Sequence, residues 1–487
     1  MAGARRRIVV VGGGVAGLAA AYALARARQT GVPVEELLIE GKKRLGGVIL
    51  TERVEGFIIE AGPDSFLEQK PEAAALCREL GLGDDLIGSN DHARRTYILH
   101  HGRLAALPDG LMLLVPTRIW PMVTTPLLPL RSKLGVAREW FTSPANHREP
   151  DESVASFVRR HFGDAMLENI AAPLLAGVYG GDSEKLSVRS VLPRFWEMEK
   201  KYGSLTRATL RAMKQRRAAS AGAGNSSPPL FMTLRDGLDQ LTAKLAGFPD
   251  ESRVHLDRRV LAIEPSPGGP GGQADSCSRR FQIHAEGNVT WDADAVVLAM
   301  PAKECARVLA SLDPKLSALL ADIPYSSSMT ISLAYGAGAR AQLPPGFGFL
   351  VPHHEGRRML ACTFVHTKFD GRVPEGKSLL RCFLGGAHDP DVLNLTDEEA
   401  VALVRKELRE ILNFSAEPLF ARVHRWPASM AQYVVGHAAR LEEIRARLEE
   451  HPGLFLAGNA YSGIGISDCI RTGRAAAERA LQLVLRN

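Results

Sequence analysis

The sequence has few cysteines, and none of them lie close together. Its 487 residues include six, at positions 77, 277, 305, 362, 382 and 469, with no CxxC pair. This scatter excludes a zinc knuckle and gives no disulfide framework. We therefore expect a reducing compartment, and the sequence predicts no metal site.

Long hydrophobic runs are also absent. The most apolar region, Leu104 to Leu130, is interrupted by Asp109, Arg118 and five prolines. A membrane-spanning helix needs about 20 apolar residues, so we expect no span here, although the region could lie in a membrane interface. Only the first six residues precede the first predicted strand, which leaves no room for a signal or transit peptide. We expect a cytoplasmic protein, with peripheral membrane contact as an open alternative.

A strong charge of either sign is missing too. The formal net charge is +6 and the pI is about 9.0, and no lysine-rich tract is interleaved with aromatic residues. We therefore expect no nucleic-acid partner. A mildly basic balance suits an anionic small molecule and an acidic membrane surface equally well. The length and the hydrophobic fraction of 45% predict two or more globular domains with a large core.

What the sequence does contain is a glycine-rich turn near its start. Arg7 to Gly17, RIVVVGGGVAG, predicts a strand, a turn and a helix. In a dinucleotide-binding turn the first glycine permits the tight bend, the second lets a pyrophosphate approach bare backbone, and the third allows helix and strand to pack closely. Gly12, Gly14 and Gly17 have this spacing. The helix N-terminus would offer free N–H groups and a positive dipole end to the phosphates.

Glu40 follows the second predicted strand, Val34 to Ile39, and lies twenty-three positions after Gly17. An acid about 20 residues after the glycine motif binds a ribose hydroxyl and disfavours NADP. The alternative is a solvated loop carboxylate. The basic turn that follows contains Gly41, Arg44 and the pair Gly46-Gly47, which could bring Arg44 and bare backbone to the same diphosphate or simply be a solvated turn.

The end of the chain repeats this pattern. Leu454 to Ala457 predicts a strand, Gly463 to Ile466 a second glycine turn, and Asp468 to Leu485 a helix. Two such turns at opposite ends of the chain indicate one cofactor domain assembled from both termini. A long dinucleotide explains this arrangement best, and the positive end of the last helix would stabilise negative charge on a flavin ring. FAD is the expected cofactor.

Further motifs, taken in order, identify a family resemblance over essentially the whole chain. VVGGGVAG, RLGG, EAGPDSFLEQK, PLLAGVYGGD, RWP with QYVVGH, and GNAYSGIGISDCI resemble the protoporphyrinogen and coproporphyrinogen oxidase family of flavoproteins. Val48 replaces the arginine that closes the glycine-pair motif in the wider superfamily. The resemblance implies an α/β + α fold in three parts. The first part would be a discontinuous Rossmann-like FAD domain, formed by residues 1–85 (with the first substrate-domain elements), 206–305 and 426–487. The second would be an inserted helical domain, often associated with membranes, formed by residues 86–205. The third would be an antiparallel-sheet substrate domain, formed by residues 306–425.

The resemblance also implies the site residues. It places Gly177 and Phe369 at the porphyrinogen, although ordinary core packing explains Phe369 equally well. It assigns the following residues to FAD: Gly12, Gly13, Gly14, Val15, Ala16, Gly17, Glu40, Gly46, Gly47, Gly62, Pro63, Asp64, Ser65, Val260, Trp426, Gly463, Ile464, Gly465 and Ile466.

Two substrates of this family stay open. Coproporphyrinogen III carries four propionates and protoporphyrinogen IX two, so the former needs more basic or polar groups in its pocket. In mitochondrial and plastid members an arginine pairs with a propionate just before a strand that ends at a Leu/Val-Pro turn. The matching position here is Thr96, or Arg95 if the register shifts by one. GPDSFLEQK and PTRIWP resemble the Gram-positive type, which favours coproporphyrinogen III.

The implied reaction is a six-electron oxidation in porphyrin and heme biosynthesis, with dioxygen as the final acceptor. The flavin supplies the redox chemistry, and the protein positions the macrocycle and excludes solvent. His366 and His437 are candidate bases, but lone histidines are more often structural, so no catalytic residue is assigned. Handover of the product to a ferrochelatase is a further expectation.

Two other function classes stay open. A flavin amine oxidase would share the cofactor motifs and often attaches the flavin to a cysteine, for which Cys469 is the candidate. A non-catalytic escort protein would keep the fold without bound flavin.

Overall fold

The computed structural model describes residues 5–112, 114–144, 151–219, 228–266 and 279–486. Its strands are β1 Arg6–Val11, β2 Val34–Ile39, β3 Thr51–Val54, β4 Phe57–Glu60, β5 Phe66–Leu67, β6 Leu86–Gly88, β7 Thr96–His100, β8 Arg103–Ala106, β9 Leu111–Met112, β10 Val115–Pro116, β11 Phe231–Leu234, β12 Val254–His255, β13 Val260–Pro265, β14 Phe281–Ala285, β15 Val289–Ala293, β16 Ala295–Leu298, β17 Tyr325–Tyr335, β18 Gly348–Leu350, β19 Met359–Phe364, β20 Ser378–Gly385, β21 Phe420–Ala431 and β22 Leu454–Leu456.

The helices are α1 Val15–Gln29, α2 Pro71–Glu79, α3 Ile119–Thr124, α4 Leu130–Glu139, α5 Val154–Phe162, α6 Asp164–Met166, α7 Ala172–Tyr179, α8 Val188–Val191, α9 Pro193–Tyr202, α10 Leu205–Ala219, α11 Asp239–Ala246, α12 Ala302–Val308, α13 Pro314–Ala321, α14 Val365–Lys368, α15 Asp397–Leu412, α16 His437–Glu449 and α17 Ile466–Arg486. A π-helical turn, Leu167–Ala171, leads into α7.

A five-stranded parallel sheet is built from both ends of the chain. Its strand order is β12-β2-β1-β16-β22. Alternate residues of β1 enter two different core clusters, Val9 and Val11 one and Ile8 and Val10 the other. A parallel sheet covered on both faces needs continuous apolar strands, which explains the sequence IVVV. The predicted central parallel strand near residue 295 is confirmed as β16.

A seven-stranded sheet has the order β21-β17-β20-β19-β18-β7-β8. Its strands pair antiparallel, except that β7 and β18 run parallel. Helix α15 packs its apolar side on this sheet through Val404 and Leu408. The sequence predicts a helix from Asp397 to Leu412 with Thr396 as its N-cap. Both are confirmed, since Thr396 and Glu399 form a reciprocal capping box.

Helices α3 to α10 follow one another in the chain, between strands β10 and β11, and form a helical region. Phe157, Val158 and Trp196 are buried in its apolar core. The family resemblance implies that this region begins at residue 86, but residues 86–116 contain the short strands β6 to β10. Two of them, β7 and β8, join the seven-stranded sheet as a hairpin around the turn His101-Gly102.

Two other local expectations differ from the structure. The predicted strand from Val254 to Ile263 is two strands in different sheets, β12 and β13, because the chain bends at Asp257, whose φ is 55°. The predicted mobile loop from Gln215 to Pro229 is helical as far as Ala219, and residues 220–227 lie outside the described residues. Most of the predicted connector from Pro265 to Ser278 also lies outside them.

Within the described part of the chain, no helix is both long enough and apolar enough to cross a membrane.

Candidate cofactor and substrate site

The N-terminal glycine turn has the geometry that its spacing predicts. Gly12 has φ +110°, and a Cβ there would lie 2.6 Å from the carbonyl oxygen of Ala299. A Cβ on Gly17 would collide with the carbonyl of Gly12, whereas a Cβ on Gly14 would meet nothing within 4 Å. Gly12 and Gly17 are therefore required by the fold, and Gly14 presents bare backbone to open space.

Glu40 lies directly against this turn. Its Oε2 accepts a hydrogen bond of 2.6 Å from the backbone N–H of Gly13, and its Oε1 accepts one of 2.8 Å from the N–H of Lys42. Two backbone donors fix the carboxylate at the end of β2. The solvated-loop interpretation of Glu40 is thus wrong, since the side chain is held at the glycine turn.

The second turn, residues 41–47, packs on the first. Gly46 donates a 2.8 Å hydrogen bond to the carbonyl of Gly13, and a Cβ on Gly47 would lie 3.1 Å from Cα of Gly14. Arg44 donates to the carbonyls of Leu45, Gly47 and Ile49. Its guanidinium therefore stabilises the turn from within, and its contact with a diphosphate stays a prediction.

The segment Gly62 to Ser65 is tied to the seven-stranded sheet. A Cβ on Gly62 would collide with the carbonyl of Val48, which requires glycine there. The indole Nε1 of Trp426, on β21, donates a 2.9 Å hydrogen bond to the carbonyl of Ala61. Trp426 is therefore brought to the Gly62 segment, and its contact with FAD stays a prediction.

A cluster of buried charges lies beside Asp64, and the sequence analysis missed it. Lys368 Nζ lies 3.0 and 2.9 Å from the two carboxylate oxygens of Asp64, and Arg381 Nη1 lies 3.6 Å from one of them. Burial raises the pKa of Asp64, but the Lys368 and Arg381 cations outweigh it and hold that pKa well below its usual value. Asp64 is therefore ionised throughout the neutral range.

Two features complete this cluster. Arg372 forms a buried 3.0 Å ion pair with Glu60, at the end of β4. The Nε of Arg381 is buried without a hydrogen-bond partner, while its Nη2 donates to the carbonyl of Gly62. Lys368, Arg372 and Arg381 are widely spaced from the GPDS motif in the chain, and no local pattern marks them.

The C-terminal glycine turn is assembled around two side chains. Tyr433 Oη accepts a 2.9 Å hydrogen bond from the N–H of Gly463 and donates one of 2.7 Å to the carbonyl of Asn459. The carboxylate of Asp468 accepts a 3.2 Å hydrogen bond from the N–H of Gly465 and lies 2.5 Å from Lys70 Nζ. The first turn of α17 thus already carries one carboxylate.

Three apolar residues of the predicted FAD site, Ile464, Ile466 and Val260, lie in or against the hydrophobic core. Ile464 packs against one core cluster and Ile466 lies in the other. Val260 is buried at the start of β13, directly after Arg259, against which Gly41 packs.

The two glycine turns are brought to one side of the parallel sheet by helix packing. A Cβ on Gly473 of α17 would collide with the carbonyl of Ala16 in α1, so the two helices touch backbone to backbone. The turns preceding these helices therefore face a shared region.

The two predicted substrate residues contact different parts of the seven-stranded sheet. Gly177 is exposed on α7, with Leu350 of β18 as the nearest side chain to a Cβ built there. Phe369 is only 2% exposed and lines a cavity with Asp64, Arg372 and Arg381. Core packing describes Phe369 in this structure, and its contact with substrate stays a prediction.

These features fit a dinucleotide whose pyrophosphate lies on the Gly14 backbone. The bare backbone at Gly14, the carboxylate fixed at the end of β2 and the joined helices α1 and α17 are all contributed by the predicted segments. The family described as flavin containing amine oxidoreductase matches residues 15–481. The chain belongs to this family. It is accordingly an FAD-dependent oxidoreductase.

Individual relatives cover nearly the whole chain. The coproporphyrinogen III oxidase of Bacillus subtilis (strain 168) is 34% identical over 485 residues, covering 99% of each protein. The coproporphyrinogen III oxidase of Propionibacterium freudenreichii subsp. freudenreichii is 32% identical, covering 98% of this chain and 91% of the relative. A crystal structure of a candidate protoporphyrinogen oxidase from Exiguobacterium sp. 255-15 is 29% identical with a TM-score of 0.83, covering 98% and 99%.

Proposed function

We propose that this protein is an FAD- and oxygen-dependent oxidase that converts coproporphyrinogen III to coproporphyrin III in heme biosynthesis. The observation that carries this proposal is the 34% identity to the Bacillus subtilis coproporphyrinogen III oxidase over 99% of both chains. In the overall reaction the macrocycle loses six electrons and six protons, and three dioxygen molecules become three hydrogen peroxide molecules. Bound FAD would supply the two-electron redox chemistry between the macrocycle and dioxygen.

The chain's own residues would bind and orient the reactants. The glycine turn at Gly14 and the carboxylate of Glu40 would hold the diphosphate and a ribose of FAD. Trp426 and the Gly62 segment, joined by the bond from Nε1 to the carbonyl of Ala61, would support the part of the cofactor nearer the seven-stranded sheet. Division into an FAD domain, a substrate domain and an inserted helical domain is part of the same proposal.

No protein base is included in the mechanism. Burial lowers the pKa of His366 to about 4, although a hydrogen bond with the backbone at Leu379 opposes the shift. Burial lowers the pKa of His437 to about 4 as well, and its ring stacks on Tyr433 at 4.2 Å. Groups with such low pKa values are weak proton acceptors at neutral pH. Positioning of the macrocycle and exclusion of water are the protein's contribution.

The choice between substrates depends on the start of β7. Thr96 begins this strand and pairs with Gly348, and it brings no charge to the sheet. The side chain of Arg95 is exposed, while its carbonyl accepts a 2.8 Å hydrogen bond from Phe347. The arginine that the resemblance gives to mitochondrial and plastid members at this position is therefore missing, which supports coproporphyrinogen III. Protoporphyrinogen IX is the second candidate, supported by the Exiguobacterium structure, whose name refers to that activity.

The test is the rate at which porphyrin fluorescence develops in air with each of the two porphyrinogens. We expect faster turnover of coproporphyrinogen III. A preference for protoporphyrinogen IX would instead give a basic group such as Arg95 the role that Thr96 cannot fill, and Arg95→Ala should then raise KM. Oxidation of neither would return the amine oxidase and the escort protein to consideration.

The amine oxidase alternative is weakened by Cys469. Its side chain lies in the core between α17 and the parallel sheet, and burial raises the pKa of its thiol to about 12. A thiol that stays protonated is a poor nucleophile for attachment to a flavin. We expect FAD to be released intact when the protein is denatured, and flavin that stays with the polypeptide would contradict this.

We further propose that the protein binds membranes peripherally through a patch on α3, α4 and the turn that follows α4. Ile119, Trp120 and Phe141 are 84%, 75% and 80% exposed. The exposed basic residues Arg118 and Arg131 flank them, which suits an anionic lipid surface. Sedimentation with anionic vesicles should fall in the variant Ile119→Ser/Trp120→Ser and should be weak with neutral vesicles. Equal binding by the wild type and the variant would refute this contact, and handover of product to a ferrochelatase stays a prediction.

A further inference from the structure

Two histidines and a glutamate meet at the edge of the seven-stranded sheet where β7 and β18 end. These strands are parallel, with Ile98 opposite Leu350. Parallel strands end at the same edge, so the residues just beyond them are neighbours. His100 is the last residue of β7, and His354 and Glu355 follow β18. This pairing joins residues that are far apart in the chain, which explains why the sequence predicts no metal site.

The possible ligand atoms of these three side chains all lie within 4.8 Å of one another. Nitrogen and oxygen ligands lie about 2.0–2.2 Å from a zinc ion, so two ligands of one tetrahedral ion are about 3.4 Å apart. The side chain of His354 is 40% exposed and free to rotate without disturbing the core. Its Nε2 already lies 3.8 Å from Oε1 of Glu355, close to that spacing.

His100 is held in the orientation that a metal ligand needs. Its Nδ1 is buried and has no hydrogen-bond partner. The carbonyl of Pro126 accepts a hydrogen bond from the ring, which leaves Nδ1 as the free nitrogen. Metal-binding histidines usually donate their other ring N–H to such an acceptor.

Glu355 is also fixed by its surroundings. One carboxylate oxygen accepts a 2.6 Å hydrogen bond from the N–H of His101, and the other accepts one of 3.1 Å from the N–H of Gly102. Each oxygen keeps a second lone pair. The two backbone donors therefore orient the carboxylate without using up its capacity to bind a cation.

We propose that His100, His354 and Glu355 bind a divalent transition-metal ion at this edge. Two imidazoles and one carboxylate with an open fourth position form a donor set that suits zinc, with water as the fourth ligand. The ion would tie the β7–β8 turn to the loop between β18 and β19. The site uses none of the residues assigned to FAD, so it goes beyond the proposed function and does not depend on it.

The test is a calorimetric titration of the chelator-treated, FAD-loaded protein with zinc chloride. A second titration uses cobalt(II), whose binding is followed by visible absorption. We expect one ion per chain and a higher melting temperature in its presence. His354→Ala and Glu355→Gln should each weaken binding by about tenfold or more. Glutamine keeps an oxygen that can accept one of the two backbone hydrogen bonds, so the turn should stay folded.

His92→Ala is the matched control, because His92 is exposed and lies outside the cluster. It should bind zinc as the wild type does. The proposal is overturned if the wild type takes up no ion in a saturable step, or if His354→Ala and Glu355→Gln bind it as tightly as the control. Circular dichroism and flavin content of each variant show whether any loss comes from misfolding.

Discussion

The carboxylate of Glu40 and the backbone nitrogen of Gly13 lie 2.6 Å apart, in a hydrogen bond that joins the end of β2 to the turn after β1. A carboxylate this close to the glycine turn is placed to accept hydrogen bonds from a ribose once a dinucleotide occupies the turn. The Lys42 N–H holds the other oxygen at 2.8 Å, so the acid is oriented before any ligand arrives.

Glu40→Gln should weaken FAD binding while leaving the fold intact. Glutamine can still accept from Gly13 but loses the negative charge, and a hydrogen bond to a charged group contributes about 1.5–3 kcal/mol. We expect the dissociation constant of FAD to rise by about tenfold or more, measured by reconstituting the apoprotein. Unchanged affinity would place the ribose elsewhere.

Gly14→Val should abolish FAD retention without unfolding the protein. A Cβ at this position meets no protein atom within 4 Å, so the substitution costs little in packing. The added side chain would occupy the space that the pyrophosphate needs. The purified variant should be colourless with a normal circular dichroism spectrum. Gly247→Ala, on the surface turn after α11, is the control. Stoichiometric FAD in purified Gly14→Val would show that the pyrophosphate does not lie on the Gly14 backbone.

The residues that the sequence could identify are those whose role depends on local backbone. Gly12, Gly14 and Gly17 have a fixed spacing, and Glu40 follows a strand, so chain position alone predicts where they lie. Lys368 and Arg381 could not be found in this way. They reach Asp64 only because β4, β19 and β20 come together in space, and an isolated lysine or arginine has no pattern that distinguishes it from a surface charge.

Lys368→Met should destabilise the protein and raise the pKa of Asp64. The ammonium group forms two hydrogen bonds with this carboxylate. Without it, only Arg381 at 3.6 Å and the 2.6 Å hydrogen bond from Ser65 Oγ would stabilise the ionised form. Loss of a partner for a largely buried charge costs about 1–3 kcal/mol. Urea unfolding should show this decrease at pH 7. Lys303→Met, at an exposed position on α12, is the control, and an equal effect of both variants would contradict the role of Lys368.

The buried histidine of the helical region should make stability depend on pH. His161 lies between Glu139 and Glu199, with Nε2 3.0 Å from Glu199 and Nδ1 3.4 Å from Glu139. Burial lowers the pKa of His161, but the two neighbouring carboxylates outweigh it and raise that pKa above its ordinary value. The stability that His161 contributes to the folded protein is therefore complete below its pKa in the unfolded chain. This stability is lost as the pH rises through its pKa in the folded protein.

Glu199 gives the opposite dependence in acid. Burial raises its pKa, but the hydrogen bonds with His161 and Arg160 lower it to about 2. The stability that Glu199 contributes is present above its pKa in the unfolded chain, about 4.3, and is lost as the pH falls toward 2.

The role of His161 is tested by comparing melting temperatures at two pH values. Melting temperatures of the wild type and His161→Gln should differ more at pH 6 than at pH 9. A difference that does not change with pH would show that His161 is neutral in the folded protein.

Fold prediction failed where half-buried strands carry polar residues. The strand β21, Phe420–Ala431, was not predicted, because ARVHRWPASM mixes charges with a proline and shows no apolar alternation. In the structure its partner β17 supplies the pairing, with Met329 opposite Arg425. Helix α15 was predicted correctly because its capping box and its period are both local.

Anaerobic reduction of the bound FAD by coproporphyrinogen III, followed through the visible absorbance of oxidised flavin, decides whether this substrate reacts at the cofactor. We expect the absorbance to fall within the turnover time and porphyrin fluorescence to rise in step, and admission of air should restore the flavin with release of hydrogen peroxide. A protein that holds FAD but shows no absorbance change with coproporphyrinogen III would contradict the proposed substrate. Bleaching with protoporphyrinogen IX alone would transfer the same chemistry to the two-propionate substrate.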